Sequence, residues 1–175
     1  MSTESGVAAP PKKASSSWII WIVIAAGACV PLLGILAALS IYGVRKYIQN
    51  AKRAEGQHVV LELATLMARC AQTRATGGVP TLPATAEPVP QLLSSVSGRK
   101  YMSSASEWSG DAYTCAGFAM RDPQYFQYQW EKLSETQGRA TARADLDGNS
   151  VADSEFEATV TCSGANCSVG PVNGG

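Results

Sequence analysis

From Ala14 to Val44 the chain carries no charged side chain. Its densest stretch, WIIWIVIAAGACVPLLGILAALSIYGV, runs from Trp18 to Val44. A helix needs about 20 apolar residues to cross a bilayer core, whereas the apolar part of a cleaved secretory signal is about 7–15 residues long. The run therefore predicts one transmembrane helix over 18–44. Trp18, Trp21 and Tyr42 lie near its ends, where amphipathic rings favour the interface. Pro31 lies inside the run and lacks the N–H of the helix ladder, so a kink or local break is expected there.

The sidedness of such a span is read from two signals that disagree. Lys12 and Lys13 precede the run, while Arg45, Lys46, Lys52 and Arg53 follow it, and charge counting alone would place the C-terminal side in the cytoplasm. Beyond the run lie four cysteines, Cys70, Cys115, Cys162 and Cys167, with Cys29 inside it. An even set in a small head predicts disulfides and an oxidising compartment. Zinc is not a competing explanation, because His58 is the sole histidine and no CxxC pair occurs. The cysteines are given the greater weight, which puts the head outside the cytoplasm. Four cysteines allow three connectivities. A bridge between Cys162 and Cys167 would close a short loop, worth about 2–3 kcal/mol in the chain-entropy picture, and would leave Cys70 to pair with Cys115.

Formal charge is zero overall, yet residues 1–75 hold eight basic and three acidic side chains against six and eleven in 76–175. An acidic head repels a phosphate backbone, which argues against nucleic acid as a partner. The basic residues cluster around the apolar run, where lipid headgroups can meet them.

Residues 1–17 are small, polar and Pro-containing, and are expected to form a disordered cytoplasmic tail. After the span, Val44, Tyr47, Ile48 and Ala51 keep helical spacing, and Val59, Val60, Leu63, Ala64, Met67 and Ala71 continue it. The helix is therefore expected to run on as an amphipathic segment over 45–75, with Gly43 and Gly56 as its weak points. Gly77 and Gly78 end it. Pro80, Pro83, Pro88 and Pro90 predict an extended linker over 76–90 that returns across the surface. Residues 91–175 read as a β-rich extracytoplasmic head. A short helix is expected at Gln91–Val96 and strands at Ala112–Ala119, Gln124–Leu133, Thr136–Ala144 and Ser154–Cys162, with Asp122–Pro123 and Asp147–Gly148 as turns. The class is α+β: a long N-terminal helix packed on a C-terminal antiparallel sheet.

The segment GILAALSIYGVRKYIQNAKRAEGQ, Gly34–Gln57, resembles the N-terminal helix of type IV pilins and pseudopilins. Gly34, Ile35, Leu36, Ala37, Ala38, Ile41, Tyr47, Ala51 and Glu55 carry the likeness, and the linker, sheet and C-terminal cysteine loop suit the same layout. Counting back from Gly34, the family's peptidase-site glycine falls on Ile20 and its following glutamate on Ala25; its helix-breaking proline falls on Tyr42. The resemblance implies helix packing through Gly34, Leu36, Ala37 and Leu39 against other pilin-like subunits or an assembly platform, with the span in the inner membrane and the head in the periplasm or on a pilus. Without the glutamate and the cut site, it implies a minor or accessory subunit of a type IV filament or type II secretion system. A membrane-anchored binding or sensor module outside any filament is the alternative.

One segment offers ligand chemistry. Asp145, Asp147, Asn149 and Asp153 place oxygen atoms at alternating positions, as calcium loops do, although the glycine comes earlier than in an EF-hand. Some pseudopilins of this layout bind calcium in a C-terminal loop, which the resemblance extends to this segment; a solvated β-turn is the simpler reading. Phe126, Tyr128 and Trp130 are expected on the core face of a strand, Trp108 on the surface, and His58 on the exposed side of the helix. No GxSxG, HExxH, P-loop or GxGxxG pattern occurs, and the chain is not expected to be an enzyme.

Overall fold

The computed structural model describes the backbone of residues 17–175 and the side chains of Trp21, 34–44 and 46–175. The tail expected over 1–17 lies outside the described residues except for Ser17. Two units divide the chain, Met1–Arg45 and Lys46–Gly175. Helix α1 spans Ser17–Thr73 and is uninterrupted at Pro31, so the local break expected there does not occur. Among the described residues no helix is long and apolar enough to cross a membrane. The apolar run of 18–44 falls mostly on residues whose side chains lie outside that description.

In the second unit, α1 buries one stripe. Val60, Leu63, Ala64, Met67 and Ala71 are fully enclosed, with Val59 and Ala68 nearly so. Their three- and four-residue spacing puts them on one side of a helix. They share a core with Phe126, Tyr128, Trp130, Ala140, Ala142, Phe156, Ala158 and Val160. Each large side chain enclosed this way stabilises by about 1.5–3 kcal/mol relative to exposure.

The sheet is an antiparallel meander of β1 (Gln127–Lys132), β2 (Gln137–Ala144), β3 (Ser154–Ser163) and β4 (Asn166–Val169), with β5 (Asn173–Gly174) pairing β3. Tyr128 stands opposite Ala142 and Trp130 opposite Ala140. Large rings on β1 thus face small residues on β2. Gly138 on β2 lies under the Trp130 ring, where any Cβ would collide with it. Phe126, Tyr128 and Trp130 face the core as expected, although Gln127 between them is buried too; β2 and β3 alternate buried with more open positions.

Three local expectations are corrected. Ala112–Ala119 is not a strand: Asp111–Ala116 forms helix α2, ended by Gly117 at φ 65°. The glycine adopts the left-handed conformation that closes a helix at little cost, and Ala112 and Tyr113 point inward. Trp108 is buried, not exposed, its ring edge-on to Tyr113 and Phe118 at centroid distances of 4.9 and 5.2 Å. The short helix near 91–96 is a 3-10 turn, Leu93–Val96.

The linker of 76–90 keeps residues 76–79, Thr81, Ala84, Thr85 and Glu87 exposed, and it also lines the sheet's first edge. Leu82, Ala86 and Val89 are buried, and Val89 exchanges two backbone hydrogen bonds of 2.9 Å with Tyr128. Prolines remove donors from this segment but leave carbonyls that need partners. Side chains of the core supply them. Trp130 Nε1 donates to Pro83 O, Gln124 Nε2 to Val89 O, Gln127 Nε2 to Pro90 O, and the Tyr113 hydroxyl to Glu87 O.

Gly56 is buried where α1 meets the sheet, and a Cβ there would stand 2.7 Å from Phe126 and 2.9 Å from Phe156. In an open helix Gly→Ala gains about 1 kcal/mol, whereas overpacking a filled core costs about 1–3 kcal/mol. Gly56→Ala is therefore expected to lower the urea midpoint of the chain. An increase would show that the two rings yield freely.

Candidate functional site

The loop between β2 and β3 gathers the acidic residues singled out by the sequence. Asp145, Asp147 and Asp153 each place a carboxylate oxygen within 4.8 Å of the others. The loop's own amides already engage them. Asp145 Oδ1 accepts from the N–H groups of Gly148 and Asn149, and Oδ2 accepts from Ser150 N–H and the Ser97 hydroxyl. Asp153 Oδ2 accepts from Leu146 and Asp147 N–H. Asp147 accepts from Asn149 backbone and side chain.

Asn149 is turned toward this network: its amide donates to Asp147 and its carbonyl accepts from Val151 N–H. Asp145 is buried while Asp147 is exposed. The Ser97 hydroxyl, followed by the amides of Ser150 and Gly148, holds the Asp145 carboxyl below the usual carboxylate range. Asp153 Oδ1 is enclosed and has no hydrogen-bond partner. It is the oxygen with the most to gain from a bound cation, because a buried acceptor left unmade is costly. Calcium would be held by Asp145, Asp147 and Asp153 together, as hard oxygen ligands suit it. The carboxylates themselves close the loop around backbone donors.

Ser97 had no sequence signal as a partner of this loop. It arrives from the segment after the 3-10 turn, where Gly98 N–H also donates to Asp145 O at 2.8 Å. The glycines explain the approach: Gly98, at φ 61°, would place a Cβ 3.2 Å from the Gly148 Cα.

Both disulfides are present. Cys70 on α1 bridges Cys115 on α2, and Cys162 on β3 bridges Cys167 on β4. The second pair stands directly opposite in the β3–β4 register. The first ties the last turn of α1 to a helix of six residues that could not persist alone. Arg74 adds an ion pair to Asp111 at 2.6 Å.

The positions expected to pack between helices, Gly34, Leu36, Ala37 and Leu39, are all exposed, with Leu36 at 59% and Leu39 at 62%. They lie on α1 in the first unit, away from the buried stripe by sequence. His58 is exposed as expected.

Comparison with family models, curated proteins and solved structures finds no match to this chain. The chemistry of its residues has to carry the functional reading.

Two outcomes follow from the loop and the first disulfide. A carboxyl held below its unfolded value near 3.9 stabilises at neutral pH, and that contribution is lost as the pH falls through the lowered value. Asp145→Asn is therefore expected to lower the thermal midpoint at pH 7, by a similar amount in calcium and in chelator, and to narrow the difference from wild type below about pH 4. A loss confined to calcium-containing buffer would show that the cation, and not the amides, closes the loop. Replacing both Cys70 and Cys115 by Ser is expected to cost about 2–5 kcal/mol in denaturant unfolding; an unchanged midpoint would remove the bridge from the stability of the head.

Proposed function

We propose that this chain is a minor or accessory pilin-like structural subunit of a type IV filament or type II secretion system. Residues 18–44 would anchor it in the inner membrane, with the disulfide-bearing head in the periplasm or on the cell surface. One observation carries the reading. A single helix, α1, leaves Ile35, Leu36, Leu39 and Ile41 more than half exposed, and later encloses Val60, Leu63 and Met67 completely. Apolar side chains left open in this way need lipid or other helices to cover them. The buried stripe holds a folded head on the same element. Lateral packing of the exposed segment against other pilin-like subunits or an assembly platform satisfies both requirements.

A second reading has its own support. Ile20 and Ala25 stand where a processed pilin has its cleavage glycine and its glutamate. A chain that keeps its leader lacks the freed amine and the carboxylate that would pair in a filament core. A membrane-anchored binding or sensor module, held by the same helix, follows from that feature.

Crosslinking separates them. With Cys29 replaced by Ala, a cysteine introduced at Leu36 or Leu39 is expected to crosslink in membranes to a pilin-like subunit or an assembly-platform protein. Recovery of the uncrosslinked chain alone, with an intact N-terminus by mass spectrometry and none in sheared filaments, would favour the anchored module.

A further inference from the structure

The two edges of the sheet differ. Along β1 the linker supplies partners, through the Val89–Tyr128 pair and the Ala86 N–H that donates to Trp130 O. At the far side β4 is the last strand, with β3 on one flank and, among the described residues, nothing paired to the other. Gly170 N–H donates to Thr159 O, and with the register this fixes the phase of the ladder. Asn166, Ser168 and Gly170 turn their backbone groups toward β3, so Cys167 and Val169 turn theirs outward. The edge presents the N–H and carbonyl of both residues in line.

Natural sheets guard such an edge with charges, prolines or a covering segment. Here no charged side chain occurs from Ser163 to Gly175, and Pro171 comes only after β4. The strand is also held in place. Cys167 is bridged to Cys162 directly across the ladder, so little freedom is lost when another strand pairs with it. Cys167 and Val169 are half-buried and pack against the rim of the core. Free backbone groups and incompletely covered apolar side chains thus coincide on one strand.

We infer that β4 is a pairing edge for a second copy of this chain, joined by an antiparallel β4–β4 ladder about a two-fold axis. The edge is its own complement. With the axis at Ser168, Cys167 stands opposite Val169 of the second copy, and Val169 opposite its Cys167. Each pair exchanges two N–H···O bonds, and every outward group of both strands is satisfied. Charge favours the same occupant. Residues 76–175 carry eleven acidic and six basic side chains, so two heads repel over much of their surface. Across this neutral edge they meet without opposing like charges. The ladder is self-limiting, because its next hydrogen-bonded position falls on Pro171, which has no N–H to give. So short an interface suits a transient closed pair and not a fibre. The pairing requires neither a membrane span nor a filament.

Ser168 faces its own copy across the axis, at the roughly 4.5 Å Cα separation of a non-hydrogen-bonded pair, which a disulfide can bridge. The test uses the full chain in neutral detergent, with Cys29 replaced by Ala. Ser168→Cys is expected to form a 168–168 disulfide under mild oxidation, read by mass spectrometry of the linked peptides with both native bridges intact. Thr161→Cys lies opposite Ser168 in the β3–β4 register, one strand further from the axis. It is expected to form no such link, since two cysteines there stand beyond disulfide reach. Val169→Pro deletes an outward N–H and leaves the β3–β4 ladder its bonds; added to Ser168→Cys, it is expected to abolish the link. Equal linking at 168 and 161, no 168–168 link, or a link undiminished by Val169→Pro with the native bridges intact would overturn the proposal. So would a cysteine at 168 that, oxidised in the membranes of the producing cell, joins only a different protein, which would mark a foreign strand as the occupant.

Discussion

The fit between α1 and the aromatic face of β1 governs the rest of the head. Phe126, just before β1, and Tyr128 and Trp130 on it are fully enclosed, and that strand of six residues is too short to order itself. They are covered because Val60, Leu63, Ala64 and Met67 lie in the same core. The approach is close only because Gly56 leaves room for Phe126 and Phe156. Alanines at 140 and 142 complete the arrangement by keeping the inner face of β2 low opposite Trp130 and Tyr128. The glycine that weakens an isolated helix is what permits the contact that holds this one.

Around that core the chain meets its polar obligations with side chains. Four prolines make the linker a poor strand, yet Leu82, Ala86 and Val89 are buried, and Gln124, Gln127 and Trp130 donate to carbonyls of this segment. Gln124 is itself fully buried, and its oxygen accepts from the Ser103 hydroxyl. Burial without these bonds would cost more than the apolar contacts return. The same economy closes the acidic loop, where the Asp145 carboxylate collects three backbone amides and a hydroxyl. Desolvation raises the Glu55 carboxyl above its ordinary range, while the Tyr125 amide opposes it. The two disulfides work at the margins, one holding α2 to the end of α1 and the other pinning β4 to β3.

Periodicity made the larger elements readable. The stripe from Val59 to Ala71 and the alternation of Phe126, Tyr128 and Trp130 are long enough for spacing alone to reveal the buried face. The α+β class and the antiparallel order follow from them. Spacing was uninformative for α2, whose six residues contain barely two turns and whose closing glycine, Gly117, only the fold shows to be left-handed. The linker's hold on the sheet was not readable because prolines speak against pairing, while the side chains that donate to its carbonyls lie about forty residues away in sequence. The acidic cluster was visible as residues, since Asp145, Asp147 and Asp153 are close in sequence. Its partner Ser97 was not, because nothing local announces a hydroxyl 48 residues away.

The functional account depends on α1 being one continuous support for the head, apolar and open before it, buried within it. Amide hydrogen exchange on the full chain in a bilayer addresses that directly. Amides from Leu63 to Ala71 are expected to exchange as slowly as those of β2, opening only when the whole head unfolds. Exchange over 46–73 that is fast while β2 remains protected would contradict the account, because the head would then fold without the helix.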